Sequence, residues 1–458
     1  MQVIVCGAGQ VGLTIARHLA AENNRVTVID KAPELIQKIG EAEDFRAIAG
    51  FASHPDVLER AGARDADMIV AVTYSDEVNM IACKIAHALF DVPVKIARVR
   101  AQSYLDPQWS KLFEHDHMPI DVSISPEIEV ARAIRQRLRV PGAFDTLSLA
   151  GGRVRAIGTR IEANCPIVST PLRQLTALFP DLHLIVVTIV RDGKTIVPTP
   201  DDVILVGDEV YFIAEESHLT RALAAFGHEE PEANRVVIVG GGNIGLYLAQ
   251  EIEGKDSGIS LKIVETGKDR ARHVAALLAK TTVVQGDVLD SEILDELNLE
   301  RVDTLITVTN HDEVNVLASL LAKRRGCKRT IALINTLYYQ TIINTLGIDA
   351  VVSPRAITVS TILQHLRRGR IRAAHSLRDG VGELLEAEAL DTSAISGKRL
   401  EEIKLDRGII IGAIVRGDAV LMPRGDTVVE AKDRIVLFAL PDQVRKVEKL
   451  FTVGLEFF

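Results

Sequence analysis

Two glycine fingerprints carry the first chemistry legible in this chain: Gly7, Gly9 and Gly12, then Gly240, Gly242 and Gly245, displaced by 233 positions. Glycines at G-x-G-x-x-G spacing let a strand turn sharply into a helix, let backbone approach a pyrophosphate and let that helix pack close on the strand. In the first copy these roles fall to Gly7, Gly9 and Gly12 in that order. A helix starting near Gln10 or Val11 would aim free amides and the positive end of its dipole at phosphate oxygens. Asp30 lies 18 residues beyond Gly12, at the end of a second apolar run. A carboxylate there accepts hydrogen bonds from ribose hydroxyls and repels a 2′-phosphate, so NAD(H) or another unphosphorylated adenosine ribose is expected over NADP(H). Glu265, 20 residues beyond Gly245, holds the equivalent place in the second copy. The competing reading is structural: the glycines make only a turn, and Asp30 faces water.

More polar residues repeat with the glycines. Thr73, Ser75, Asp76, Glu77 and Asn79 follow one apolar run, and Thr309, Asn310, His311, Asp312, Glu313 and Asn315 follow its copy. At the carboxyl edge of an open parallel sheet such residues meet ligand; as helix N-caps they merely satisfy backbone. Arg98 closes a further run and could engage phosphate oxygens as a fork. Its counterpart is Leu333, so the second copy lacks that contact.

The elements that must position these residues are legible as alternation. QVIVCG, RVTVID, MIVAVT and VKIARV are separated by helical patterns, and RVVIVG, LKIVE, TTVVQG, TLITVT and RTIALI repeat the order from Arg235. Such alternation makes a parallel sheet with helices on its faces. IVRDGKTIVPTPDDVILVGDEVYFIA and AIVRGDAVLMPRGDTVVEAKDRIVLFA then repeat at a spacing of 225, pairing Arg191 with Arg416 and Asp208 with Asp433. Both contain short β-branched strands and turns, followed by an amphipathic helix. The expected fold class is α/β: two tandem Rossmann-like parallel-sheet domains, each followed by a small α+β domain. The boundaries expected are 1–142 and 143–228, then 235–371 and 372–458, with a hinge at Glu229 to Asn234.

Composition narrows the class. The chain has 458 residues, of which 47% are hydrophobic and 25% charged, as in ordinary globular protein. A net charge of −9 and only 4% aromatic residues disfavour a nucleic-acid surface. Two basic runs, Arg132, Arg135, Arg137 and Arg139, then Arg367, Arg368, Arg370 and Arg372, are expected to be solvated helix faces. Cys6, Cys83, Cys165 and Cys327 form no C-x-x-C pair, so packing is their expected role. With no cationic leader and no apolar run of membrane-spanning length, a cytoplasmic location is expected.

With these residues in hand, the chain resembles the regulatory subunits of the bacterial Trk potassium-uptake system, from the family that regulates potassium conductance through RCK domains. The resemblance covers essentially the full length. It rests on GAGQVG at Gly7 to Gly12, SHPDVLERAGARDADMIVAVT at Ser53 to Thr73, SDEVNM at Ser75 to Met80, IARVR at Ile96 to Arg100, VGGGNIG at Val239 to Gly245 and the two small lobes. It implies a non-enzymatic sensor that binds NAD(H) or adenine nucleotides such as ATP and ADP. It also implies a homo-oligomer, a dimer or a tetrameric ring, on the inner face of the membrane beneath a potassium-transporter subunit of the TrkH/TrkG type. Carried over residue by residue, it implies a first site at Gly7, Ala8, Gly9, Gln10, Val11, Gly12, Asp30, Thr73, Tyr74 and Arg98. The second is Gly240, Gly241, Gly242, Asn243, Ile244, Gly245, Glu265, Thr309 and Asn310. Many members place an aspartate near the adenine; Asp287 after Gly286 fits that pattern, whereas Gly50 is followed by Phe51.

Two other function classes compete. An NAD-dependent dehydrogenase would need a proton donor or acceptor beside the nicotinamide, for which His54, His87, His115 and His117 are the thin candidates. A metal site at His115, Asp116 and His117 would lack a fourth ligand.

Overall fold

The computed structural model describes residues 1–451, apart from 22, 44, 114–116, 180–181, 257, 337–345, 367–370 and 378–379. It divides into two units, Met1–Val130 with Pro354–Leu366, and Ala131–Ser353 with Arg367–Phe458.

In the first unit the apolar runs become β1 (Gln2–Cys6), β2 (Arg25–Asp30), β3 (Arg46–Ala49), β4 (Met68–Ala71), β5 (Val94–Arg98) and β6 (Val122–Ile124). They pair in parallel in the order β3-β2-β1-β4-β5-β6. Helices Gln10–Ala21, Pro33–Ala42 and Asp76–Phe90 are among the connections. The order in which strands are added reverses between β1 and β4, which opens a crevice at their carboxyl ends. Alternate residues of β1 feed opposite cores: Val3 and Val5 pack with Ile15 and Leu19, while Ile4 and Cys6 pack with Leu58, Ile69 and Cys83.

Helix Pro354–Leu366 belongs to this unit. Val359, Ile362 and Leu363 join the core of Val3, Val5, Ile15 and Leu19. The repeat places this helix at the end of the second large lobe. Its apolar stripe at i, i+3 and i+4 specifies burial but not which sheet provides it, and the first sheet does.

In the second unit β7 (Ala143–Leu149), β8 (Val154–Arg160), β9 (Leu184–Arg191), β10 (Lys194–Ile196) and β11 (Glu209–Glu215) form a sheet in the order β10-β9-β11-β8-β7. Next come β12 (Arg235–Val239), β13 (Ser260–Glu265), β14 (Thr282–Gln285), β15 (Thr304–Thr307), β16 (Arg329–Leu333) and β17 (Ala350–Val352), in the parallel order β14-β13-β12-β15-β16-β17. Finally β18 (Ile371–Ser376), β19 (Glu383–Glu388), β20 (Ile409–Arg416), β21 (Ala419–Leu421) and β22 (Arg434–Ala439) repeat the small antiparallel sheet as β18-β19-β22-β20-β21. The expected α/β class, two parallel-sheet domains each followed by a small α+β domain, is therefore the observed one.

Each small lobe is pinned by a partly exposed arginine on a buried aspartate. Arg191 Nε and Nη2 each donate to the Asp208 carboxylate at 2.8 Å, and Arg416 repeats this on Asp433 at 2.9 and 2.8 Å. The small lobes also meet each other: a Cβ built on Gly412 would lie 2.2 Å from Ile213 Cδ1, and Ala150 N donates to Glu386 Oε2 at 2.8 Å.

The first basic run departs only in part from the expected solvated face: Arg132 and Arg139 are exposed, whereas Arg135 and Arg137 are drawn into the fold. Arg135 grips Asp256 through two hydrogen bonds of 2.6 and 3.0 Å, and Arg137 pairs with Asp145 and donates to the Phe144 and Ala133 carbonyls. These cations hold secondary structure together and are not offered to an external polyanion. In the second run Arg367, Arg368 and Arg370 lie outside the described residues, as does the side chain of Arg372. So do His115 and Asp116 of the three-residue metal candidate. The four cysteines are free and buried, as packing required. Burial pushes the Cys83 thiol up to about 12 and raises the Cys6 thiol as well.

Candidate nucleotide sites

The first site is assembled at the carboxyl ends of β1, β2, β4 and β5. Gly7 turns the chain with φ +110°, in the left-handed region that a side chain would strain. A Cβ on Gly12 would lie 1.9 Å from the Gly7 carbonyl oxygen, so helix Gln10–Ala21 sits against the turn only because residue 12 has none. Around Gly9 nothing lies within 4 Å of where a Cβ would be, and Gly9 lines a cavity of about 460 Å³.

Of the residues expected at this site, Gly7, Gly9, Gln10, Val11, Gly12, Asp30, Thr73, Tyr74 and Arg98 line that cavity. Ala8 is buried behind it, its amide donating to Asp30 Oδ2 at 2.7 Å. Asp30 Oδ1 accepts from Ala32 N at 3.0 Å. The carboxylate thus fixes the glycine turn to the end of β2. These two bonds take roughly two of its four or so acceptor positions, which is the structural reading of Asp30.

The Thr73 to Asn79 string divides between backbone and cavity wall. Asn79 is wholly buried: its Oδ1 accepts from Thr73 N at 2.8 Å and Thr73 Oγ1 at 2.6 Å, and its amide donates to the carbonyls of Thr73 and Arg98 at 3.2 and 2.9 Å. Asp76 accepts from the amides of Arg100 and Ala101. Ser75 caps helix Asp76–Phe90, accepting from Val78 N. These side chains clamp the ends of β4 and β5, leaving Thr73 and Tyr74 at the cavity wall. Tyr74 is exposed, with the Arg100 guanidinium 5.3 Å from its ring centroid.

Arg98 donates from Nη2 to Thr73 O at 2.7 Å, while its Nε is buried without a partner among the described residues. Burial, followed by the neighbouring Arg100 charge, pushes its pKa down. A buried donor with no acceptor, at a cavity wall, suits an incoming anion.

The second site repeats this skeleton. Gly240 has φ +106°, and a Cβ on Gly245 would again lie 1.9 Å from the oxygen of the turn residue. Gly241 N donates to Glu265 Oε2 at 2.8 Å, and Gly267 N donates to Oε1 at 2.8 Å. Asn315 replicates Asn79, bonding Thr309 N, Thr309 O and Leu333 O. A cavity of about 340 Å³ is lined by Gly240, Gly242, Glu265, Asp287, Thr309 and Asn310. Gly241, Asn243, Ile244 and Gly245 stand outside its wall, where they build the turn and the start of helix Asn243–Lys255.

Arg270, Lys31 and Phe51 were not expected in either site, yet they line the cavities. Arg270 lines the second cavity, donating from Nε to Gly241 O at 2.7 Å and from Nη2 to Asn243 Oδ1 at 3.4 Å. The second site therefore has a guanidinium after all, supplied from helix Lys268–Leu277 and not from the fifth strand. The signal was a basic residue in the first turn of the helix that follows the acidic one; the first copy has Leu35 there. Lys31 and Phe51 line the first cavity, and Phe51 leaves about half its surface (51%) exposed. An aromatic face thus stands where the second site has Asp287.

Known proteins agree with this architecture. The TrkA-N domain model matches residues 3–126 and 236–354, and the TrkA-C domain model matches 157–227 and 384–452. The Trk system potassium uptake protein TrkA of Azorhizobium caulinodans is 52% identical over 458 residues, covering 100% of both chains. The protein of the same name from Halomonas elongata is 42% identical over 462 residues, again covering 100% of each. Among solved structures, the GsuK RCK domain superposes with a TM-score of 0.60 at 18% identity, covering 98% of this chain and 94% of that one. The GsuK channel bound to NAD superposes with a TM-score of 0.59 at 18% identity, covering 98% of this chain and 78% of that one. With its tandem of matched domains and relatives of this identity along its whole length, the chain belongs to the family of Trk system potassium uptake proteins TrkA.

Proposed function

We propose that the chain is the cytoplasmic, nucleotide-sensing regulatory subunit of a potassium-uptake transporter, acting at the inner face of the membrane on a transporter subunit of the TrkH/TrkG type. The observation that carries the sensing role is the duplicated crevice: an open glycine lining a cavity, a carboxylate locked to the glycine turn, and a guanidinium at the wall. The names of the relatives support the transport role. NAD(H) is the first ligand to test, because Asp30 and Glu265 disfavour a 2′-phosphate and the fold is that of a channel described as bound to NAD. ATP and ADP are the next. Among the described residues no helix is long and apolar enough to cross a membrane, so a separate subunit would supply the ion pathway.

In each site the chain's own groups divide the work. The amides at the start of helices Gln10–Ala21 and Asn243–Lys255 would hold phosphate, Asp30 and Glu265 the ribose, and Arg98 and Arg270 the remaining phosphate charge. Phe51 offers its ring face to a base in the first site, and Asp287 offers a carboxylate in the second. Gating requires that a ligand bind two arrangements of the chain with different affinity, since equal affinities shift nothing. A ring of two or four chains is the expected assembly.

The test is calorimetric titration of the purified chain with NADH, NAD, ATP and ADP, paired with potassium flux through the transporter in vesicles. Binding without consumption of NADH, and flux that follows nucleotide only when this chain is present, is the expected result. Steady NADH turnover would favour the dehydrogenase reading. Flux indifferent to both nucleotide and chain would refute the regulatory one.

A further inference from the structure

We propose that His183, Glu215 and His218 form a binding site for a divalent transition metal on the first small lobe. The three residues converge from separate places: His183 immediately precedes β9, Glu215 ends β11, and His218 closes the short helical turn Glu216–His218. Their ligand atoms all lie within 4.8 Å of one another. His183 Nδ1 is 3.2 Å from Glu215 Oε2, and His218 Nε2 is 4.0 Å from the same oxygen. A tetrahedral zinc with bonds of about 2.0–2.2 Å to nitrogen and oxygen needs donor atoms roughly 3.3–3.5 Å apart. Of the three pairs, His183–Glu215 already has nearly that spacing, His218–Glu215 needs a closure of under about 1 Å, and the two imidazole nitrogens start within 4.8 Å of each other.

The two imidazoles stack with centroids 4.4 Å apart and planes 11° from parallel, so one ring must turn to bring both in-plane lone pairs onto a single ion. Ser217 Oγ donates to Glu215 Oε1 at 2.9 Å, steadying the carboxylate while Oε2 faces the histidines. Outer hydrogen bonds of this kind aim ligating groups. His218 Nδ1 is buried without a partner among the described residues.

The internal repeat supplies a control. At the spacing of 225 the corresponding positions are Gly408, Leu440 and Gln443, and they too come together: a Cβ on Gly408 would lie 3.0 Å from Leu440 Cδ1 and 3.1 Å from Gln443 Cγ. Leu440 N donates to Gly408 O as Glu215 N donates to His183 O. The backbone frame is therefore common to both lobes, and only the first carries ligating groups. Gly408 has φ +108°, the kind of position glycine suits. The first lobe keeps a histidine there at φ +41°, a conformation that strains a non-glycine residue.

Two imidazoles and one carboxylate select zinc, nickel or cobalt over calcium and magnesium, which take oxygen ligands. Three protein ligands leave a fourth position for water. Bound metal would tie the start of β9 to the end of β11.

The experiment titrates the full chain with Zn²⁺ alone by calorimetry, follows Co²⁺ by its visible absorption, and uses Mg²⁺ and Ca²⁺ as controls. The comparison chain is His183→Gly with His218→Gln, which installs the second lobe's own residues. Expected are one equivalent of Zn²⁺ per wild-type chain, a rise in Tm on binding, and a loss of at least tenfold in affinity in the double variant. Should that variant fold poorly, Glu215→Gln takes its place with the same expectation. A wild-type chain that binds no Zn²⁺, or a variant that binds it equally well, overturns the proposal.

Discussion

Two glycines three positions apart should respond to the same substitution in opposite ways. Alanine at position 12 places a methyl carbon 1.9 Å from the Gly7 carbonyl oxygen, where packed atoms keep at least 3.0 Å. Helix Gln10–Ala21 must then back away from the turn by about 1 Å, at an overpacking cost of roughly 1–3 kcal/mol. That retreat carries the helix amides away from the proposed phosphate position, and the loss of even one charge-assisted hydrogen bond of about 1.5 kcal/mol or more lowers affinity at least tenfold. Gly12→Ala should therefore lose both stability and nucleotide affinity. At Gly9 no protein atom lies within 4 Å of the added carbon, and the backbone is not in the left-handed region. Gly9→Ala should leave stability unchanged or raised by about 0.4–1 kcal/mol through the unfolded chain, while its methyl occupies the space proposed for pyrophosphate. Urea denaturation and titration with NADH separate the two effects. Gly242→Ala repeats the second experiment in the other lobe, where the space is equally open. If Gly9→Ala binds nucleotide like wild type, the cavity beside it is not the phosphate site. If Gly12→Ala is as stable as wild type, the packing argument fails.

Other outcomes follow from single features. Arg98→Ala should weaken the first site and Arg270→Ala the second, each by about tenfold or more, in titrations resolved by combining each with Gly242→Ala or Gly9→Ala. Arg191→Ala leaves the buried Asp208 carboxylate unpaired, and Arg416→Ala does the same to Asp433. Each should cost about 3 kcal/mol in urea denaturation. Burial, opposed by Asp145, pushes His375 down to about 4. Its folded pKa lies below the unfolded value, so below about 6.5 the unfolded chain binds more protons; stability should fall by up to about 1.4 kcal/mol per pH unit between pH 6.5 and 4, and His375→Gln should flatten that slope. The buried thiols Cys6 and Cys83 should resist a thiol reagent at pH 8 in the native chain and react promptly in denaturant.

Both parallel sheets, both small lobes and the family were legible in the sequence, because each rests on local order. Apolar runs, turn glycines and the acidic residue 18 or 20 positions beyond them are fixed by spacing along one chain. The repeat made the same pattern visible twice. Asp30 and Glu265 could be placed at the end of their strands for that reason, and Gly12 and Gly245 could be assigned to close packing. Spacing could not decide whether Asn79 and Asp76 would meet ligand or backbone, since an N-cap and a binding residue look alike until the hydrogen-bond partners are known. Nor could it show that Arg135 would find Asp256, 121 residues away. Helix Pro354–Leu366 makes the point most fully: its apolar stripe demanded burial, yet only the folded chain supplied it from the first lobe's sheet. Arg270 and the convergence of His183, Glu215 and His218 have the same origin. Local sequence sets which backbone a segment adopts and which face is apolar; which distant side chains come within a few ångströms is set by how those faces pack, and that is a property of the tertiary structure.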